Sequence, residues 1–413
     1  MQILAADILP AVTNATAQSK RSFDNARGSV QSPLIGQKTR VLHVVPTLSM
    51  GGTEQNGVRL ARFLASKGEY ENQIIATSIG DQSMRAAFEE ISPHGVFVLP
   101  PNRVERLIAF NSVIRKSQPI AIVFHFFNVD QALMAMTARL AGVKRCIAAA
   151  GTAATDLSAA NRFKWKIALQ LNRVSKTPII SASKWIENSL ARISRLPRGS
   201  QVIHNGIEVE SFRRPSDFRS ESRTKEKSWT LGMVARLEGA KDHETLIRSF
   251  AQFLNLAPEA NARLRLIGDG PLRKNLENLV KSLGISDNVD FLGTRLDVPE
   301  QLAQLDTFVF STTQKEGFGN VLIEAMAAGI PIIANDVPSS REVLRDGQLG
   351  SIVLGGRQDA WVEALVQHWS EGPSVRLPEV DEIKAIYGIV QFCNGYIRAL
   401  KLTPDATSDW VRK

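Results

Sequence analysis
Between Thr39 and Leu400 the chain alternates short apolar runs with longer stretches whose apolar residues recur every three or four positions. The runs Val41 to Val45, Gln73 to Ser78, Gly95 to Leu99, Ile120 to Phe124, Pro178 to Ala182 and Val202 to Ile203 predict strands. Between them Asn56 to Ser66, Met84 to Ile91, Val104 to Gln118 and Lys184 to Ile193 predict helices, the last capped by Ser183. After a charged connector, Phe212 to Lys227, strands recur at Trp229 to Ala235, Leu264 to Ile267, Val289 to Leu292, Phe308 to Phe310 and Ile330 to Ala334. Helices Glu244 to Leu254, Leu272 to Leu283 and one beginning at Asn320 fill the intervals, and Glu382 to Leu400 predicts a long terminal helix. This alternation predicts an α/β fold of parallel, doubly wound sheets with ligands beyond the strands' carboxyl ends. The expected division is 39–208 and 209–381, with 382–401 returning to the first domain; residues 1–38 lack periodicity and predict a mobile tail.

The stretch Gln314 to Asp336 carries the densest chemistry. A buried strand runs into a loop holding Glu316, and Gly317 and Gly319 then clear side chains from the path, so backbone N–H groups can approach an anion. Asn320 is expected to cap the following helix, whose unpaired amides and positive dipole end face the loop. Glu316 and Glu324 stand eight residues apart, roughly 12 Å if every step were helical. That span suits the two ends of a nucleotide sugar better than a shared proton or metal. On spacing alone, an acidic loop residue and a solvated helix residue account for the pair equally well.

Further signals are weak one by one. Gly51 and Gly52, at the first strand-to-helix turn, let backbone touch a phosphate or sugar, although such glycines often serve packing only. His125 ends a buried strand and in isolation reads as a satisfied core histidine. Arg236 and Lys241, five residues apart in a loop, form a fork and a point charge able to close on a diphosphate, or are two solvated cations. Asn205-Gly206 is a turn between the domains, and His204 before it has no role of its own.

Taken in order, the segments Gly51-Gly52-Thr53-Glu54, His125, Asn205-Gly206-Ile207-Glu208, Arg236 to Lys241, Gly268-Asp269-Gly270-Pro271 and Glu316 to Glu324 resemble the retaining GT-B glycosyltransferases of family 4. The resemblance spans about residues 39 to 400. It departs from the family at Asp242, where Gly is commoner, at Val234-Ala235 before Arg236, and at Asp336 to Glu342, where a glycine pair is usual. It implies two Rossmann-like domains facing a cleft and transfer of a hexosyl or N-acetylhexosaminyl group from a nucleoside diphosphate with retention. Arg236 and Lys241 would then hold the diphosphate, Gly317, Phe318, Gly319 and Asn320 would donate amides, and Glu324 would meet the ribose. Glu316 would orient the sugar, with His125 on the opposite wall. Gly51 and Gly52 would form the cleft floor, and Gly293 and Arg295 would lie near the base.

Charge narrows the partners. Residues 39–200 carry a net +11 and residues 201–413 a net −4 within an overall +9, so the first domain is the basic one. That suits an anionic membrane surface or a lipid-linked diphosphate acceptor. The segment Asn161 to Lys176 interleaves Arg162, Lys164, Lys166, Arg173 and Lys176 with Phe163 and Trp165, and predicts a surface helix able to rest on such a membrane. No zinc-finger spacing, ribonucleoprotein motif or basic heptad region points to nucleic acid, and no Asp-x-Asp motif points to a metal. Two cysteines in apolar stretches suit a reducing cytosol, and the N-terminus has no basic residue before its apolar patch. The expectation is a metal-independent cytoplasmic enzyme, peripheral at the inner face of the membrane, building a surface polysaccharide on a glycan or lipid-linked acceptor. Two alternatives stay open: a nucleotide-sugar 2-epimerase of the same fold, and a catalytically silent nucleotide-sugar-binding protein.

Overall fold
The computed structural model describes residues 39–155, 158–213, 228–373 and 375–402. The expected tail, 1–38, and the connector from 214 to 227 lie outside the described residues. The first lobe holds β1 (Thr39–Val45), β2 (Tyr70–Ala76), β3 (Val96–Val98), β4 (Ala121–Phe124), β5 (Arg145–Ala150), β6 (Ile179–Ser181) and β7 (Gln201–Val202). The second holds β8 (Thr230–Val234), β9 (Arg263–Ile267), β10 (Val289–Gly293), β11 (Thr307–Phe310), β12 (Ile332–Asn335) and β13 (Ser351–Val353). Each lobe is one parallel sheet, in the orders β3-β2-β1-β4-β5-β6-β7 and β10-β9-β8-β11-β12-β13. Helices cover the sheets, so the central strands β4, β11 and β12 are buried along their whole length, as their unbroken apolar runs require.

Strand order reverses direction once in each sheet, between β1 and β4 and between β8 and β11. Such reversals splay consecutive crossover helices to opposite faces and leave a crevice at the strands' carboxyl ends. The loops after β1 and β4 carry Gly51, Gly52 and His125; those after β8 and β11 carry Arg236, Lys241 and Glu316 to Asn320. The topology therefore gathers most of the expected site at two crevices.

The terminal helix departs from the expectation. Glu382 to Leu400 is two helices, Val380–Tyr387 and Ile389–Leu400, broken at Gly388, whose ψ of 147° is extended. Ile383 and Tyr387 pack in the second lobe's core, whereas Phe392, Cys393, Tyr396 and Ile397 pack against Val41, Leu60 and Ile180 of the first. The return to the first lobe thus starts at Gly388. Ile207 N donates to the Tyr387 carbonyl and Ile389 N to the Ile207 carbonyl, both at 2.9 Å, so the two crossings are bonded side by side.

Candidate functional site
The glycine turn after β11 is built against the first lobe. Gly319 has a φ of 86°, the left-handed conformation open to glycine, and it occupies the N-cap position of the helix Asn320–Ala327. This corrects the expected capping role of Asn320, which is the first helical residue and accepts from Asn205 Nδ2 at 2.9 Å. Ser183 Oγ donates to the Gly317 carbonyl at 2.7 Å. A Cβ on Gly317 would stand 2.0 Å from the Gly151 carbonyl oxygen, and one on Gly52 would stand 3.0 Å from Asn320 Nδ2. Close backbone approach between the lobes excludes a side chain at Gly317, whereas at Gly52 a Cβ would press on the Asn320 side chain.

Lys241 and Glu316 meet in a direct ion pair, with the Lys241 ammonium also 5.3 Å from the centre of the Phe310 ring. Hydroxyls hold the two loops together: Thr312 and Thr313 Oγ1 both donate to the Ala240 carbonyl and Ser311 Oγ to the Lys241 carbonyl, each at 3.1 Å. Behind them, Trp361 Nε1 donates to Asn335 Oδ1 and Asn335 Nδ2 to the Thr312 carbonyl, both at 2.7 Å. Gly268 and Gly270 seat the loop from below, since a Cβ on either would strike the Ala235 or Leu237 backbone. Arg236, on the same loop, is 72% exposed and reaches Glu238 at 3.7 Å, so it is free to swing toward an incoming anion.

Glu324 lies on the inward side of its helix, 7% exposed, and takes no hydrogen bond from any described residue. Burial raises its pKa, opposed by the charge of Arg59 across the lobe boundary. Arg59 itself donates to Asn56 Oδ1 and to the Gly206 carbonyl. A buried carboxylate without a donor is costly unless a ligand supplies one. Both Glu316 and Glu324 therefore flank the glycine turn, one paired to a cation and one awaiting a partner.

His125 is 3% exposed, and its Nε2 lies 3.0 Å from His43 Nδ1, deep in the first lobe. Gly293 turns with a φ of 68° and accepts from Gly268 N, while Arg295 is exposed and held by both oxygens of Asp297. Gly293 closes β10 and Arg295 follows it, at the sheet edge and two strands from the reversal. A cavity of about 540 Å³ opens near Glu238, His243 and Asn275, and no first-lobe residue lines it, so it is separate from the crevices. Among the described residues no group of three or more His, Cys, Asp and Glu is gathered to hold a metal ion.

The contacts that join the lobes have no local signature in the amino-acid order. Glu342 accepts from His204 Nε2 at 2.8 Å and from the backbone N–H groups of Lys184 and Trp185, which open the helix Lys184–Ala191. Burial pushes the Glu342 carboxyl up, but His204 and the two amides outweigh it and hold it below the usual range. His204 also stacks on Phe318 of the glycine turn, with centroids 5.4 Å apart. These residues are more than a hundred positions apart, so only the fold could reveal them.

The family model described as "Glycosyl transferases group 1" matches residues 216–376, the part of the chain that holds Arg236, Lys241, Glu316 and Glu324. Residues 216–376 are thus similar to group 1 glycosyl transferases. A glycosyltransferase relative, the N-acetyl-alpha-D-glucosaminyl L-malate synthase of Bacillus anthracis, is 25% identical over 77% of the chain and 84% of its own length. The exopolysaccharide phosphotransferase of Streptomyces coelicolor is 33% identical over 44% of the chain, which spans only 18% of that longer protein. The structure of HepE from Anabaena in complex with UDP and glucose superposes with a TM-score of 0.73, at 18% identity, over 88% of the chain and 100% of HepE. The chain thus has the GT-B fold.

Proposed function
We propose that the protein transfers a hexosyl or N-acetylhexosaminyl group from a nucleoside diphosphate to a glycan or lipid-linked acceptor, with retention of configuration. The observation that carries this reading is the unpartnered, buried Glu324 standing one helix turn and a glycine loop away from the Lys241–Glu316 pair. Ribose hydroxyls would supply Glu324 with the missing donors. Lys241, Arg236 and the amides of Gly317 to Asn320 would take up charge on the departing diphosphate, which is worth far more in a crevice than in water. Glu316 and His125 would address the sugar. The bond from the sugar carbon to the phosphate oxygen breaks, the acceptor oxygen forms its bond on the same face, and the acceptor proton passes to the leaving phosphate. No metal ion is invoked, and no nucleic acid.

The basic first lobe supports an anionic acceptor or a membrane surface. Phe163, on the helix Ala159–Val174 among Arg162, Lys164 and Lys166, is 64% exposed. Among the described residues no helix is long and apolar enough to cross a membrane, so contact with the inner face would be peripheral. The likeness to an exopolysaccharide enzyme supports a role in surface polysaccharide synthesis. The test is to screen nucleotide sugars for thermal stabilisation, then follow nucleoside diphosphate release with membrane lipid extract as acceptor. Stabilisation by no nucleotide sugar would refute the donor assignment. Epimer formation from donor alone would replace transfer by isomerisation.

A further inference from the structure
His125 stands at the carboxyl end of β4, between β1 and β5, and the loops that follow those two strands both approach the Gly317 to Asn320 turn. Behind the ring runs a line of polar contacts that ends on a backbone carbonyl. Asn72 Nδ2 donates to the Ala61 carbonyl at 2.7 Å, so Oδ1 is the atom facing His43 Nε2 at 3.1 Å. An amide oxygen only accepts, so His43 Nε2 carries a hydrogen. Burial keeps His43 neutral, its pKa lowered to about 4, and its Nδ1 is therefore a bare lone pair. That lone pair faces His125 Nε2 at 3.0 Å, with the rings within 11° of parallel. His125 Nε2 must carry the second hydrogen, which leaves His125 Nδ1 bare. Among the described residues Nδ1 has no hydrogen-bond partner, and it is not sealed from solvent.

We infer that His43 and Asn72 are positioning residues that fix His125 in its Nε2–H tautomer, so that the crevice meets a hydrogen-bond acceptor there. A neutral imidazole free to choose would offer either a donor or an acceptor. Here the choice is made by an amide two side chains away. The consequence for specificity rests on the glycosyltransferase reading: the sugar position facing β4 must bring a hydrogen, as a free hydroxyl does. A ring oxygen, an ester or a deoxy carbon there leaves Nδ1 without its partner, and discrimination by a missing hydrogen bond is strong.

The full-length protein labelled with ¹⁵N-histidine decides the tautomer without any substrate. The chain has 6 histidines, and loss of one signal in His125→Gln assigns the ring. The expected wild-type spectrum at neutral pH shows a pyridine-like Nδ1 and a pyrrole-like, proton-coupled Nε2 for His125. A protonated Nδ1 overturns the inference, whatever the enzyme transfers. Asn72→Leu removes the controlling acceptor, and the His125 signals should then move toward the average of both tautomers; unchanged signals also overturn it. With the donor in hand, Asn72→Leu should lower kcat/KM about tenfold for the hydroxylated sugar and leave the deoxy analogue unaffected. Absence of transfer by the wild type would refute the enzyme reading and leave the tautomer result standing.

Discussion

Gly317→Ala tests whether the lobes must meet at the glycine turn. Gly317 does not use a left-handed backbone, so alanine suits its local conformation, and the difficulty lies entirely across the lobe boundary. The new Cβ would stand 2.0 Å from the Gly151 carbonyl oxygen and 3.2 Å from Ile186 Cδ1. Reaching an ordinary contact of 3.4 Å with that oxygen requires the lobes to part by about 1.4 Å. The 2.7 Å bond from Ser183 Oγ to the Gly317 carbonyl does not survive such a shift. Overpacking of this kind costs about 1–3 kcal/mol and the lost hydrogen bond about 1 kcal/mol. The observed arrangement should therefore lose about 2–4 kcal/mol relative to an open one, a factor of roughly 30 to several hundred in population. Each lobe can keep its own fold, so the melting temperature should change little while turnover at saturating donor falls and small-angle scattering shows a more open particle. Gly319→Ala is the contrast: with φ at 86° and Leu322 and Phe310 of the same lobe against it, alanine strains the turn itself and should lower the melting temperature. Wild-type turnover and scattering in Gly317→Ala would refute the reasoning.

Other outcomes follow from the same geometry. On the proposed role of Lys241 at the leaving diphosphate, Lys241→Ala should reduce turnover by about a hundredfold or more at saturating donor; nucleoside diphosphate release measures it. Trp361→Phe leaves Asn335 Oδ1 buried without a donor and should cost about 1–3 kcal/mol in urea unfolding. Glu342→Ala strips the Lys184 and Trp185 amides and His204 of their shared acceptor, and should cost about 1 kcal/mol and weaken donor binding, read by calorimetry. His43 is held neutral with a pKa lowered to about 4, and burial lowers His125 and His243 as well. Below the unfolded value near 6.5 the unfolded chain takes up protons that the folded chain refuses, so this stability is complete above 6.5 and declines toward pH 4. His43 alone should account for roughly 3 kcal/mol between those limits, checked by denaturant melts at pH 7 and pH 4.5.

The parallel sheets were legible because their inner strands are buried on both faces and so appear as unbroken apolar runs. Strand β5 escaped because Ala148, Ala149 and Ala150 have little strand preference of their own; pairing with β4 and β6 holds them extended. The helix Val129–Leu140 was also missed, although Asn128 and Gln131 stand at capping-box spacing and Asn128 does accept from Gln131 N. Local chemistry around Glu316 and Glu324 could be read because a glycine turn and its helix are short-range features. The Glu342 to His204 contact and the His43 to Asn72 line could not, because each depends on how distant strands are ordered.

The chain passes between the lobes twice, near Ile207 and at Gly388, and the passages are tied to each other by backbone hydrogen bonds. A door hung on two adjacent pins swings but does not slide or spin. Any motion that admits a sugar nucleotide therefore pivots near Ile207 and Gly388, and the glycine turn, bonded to Asn205 through Asn320 and packed on Tyr387 through Phe318, sits beside that pivot rather than at the far rim.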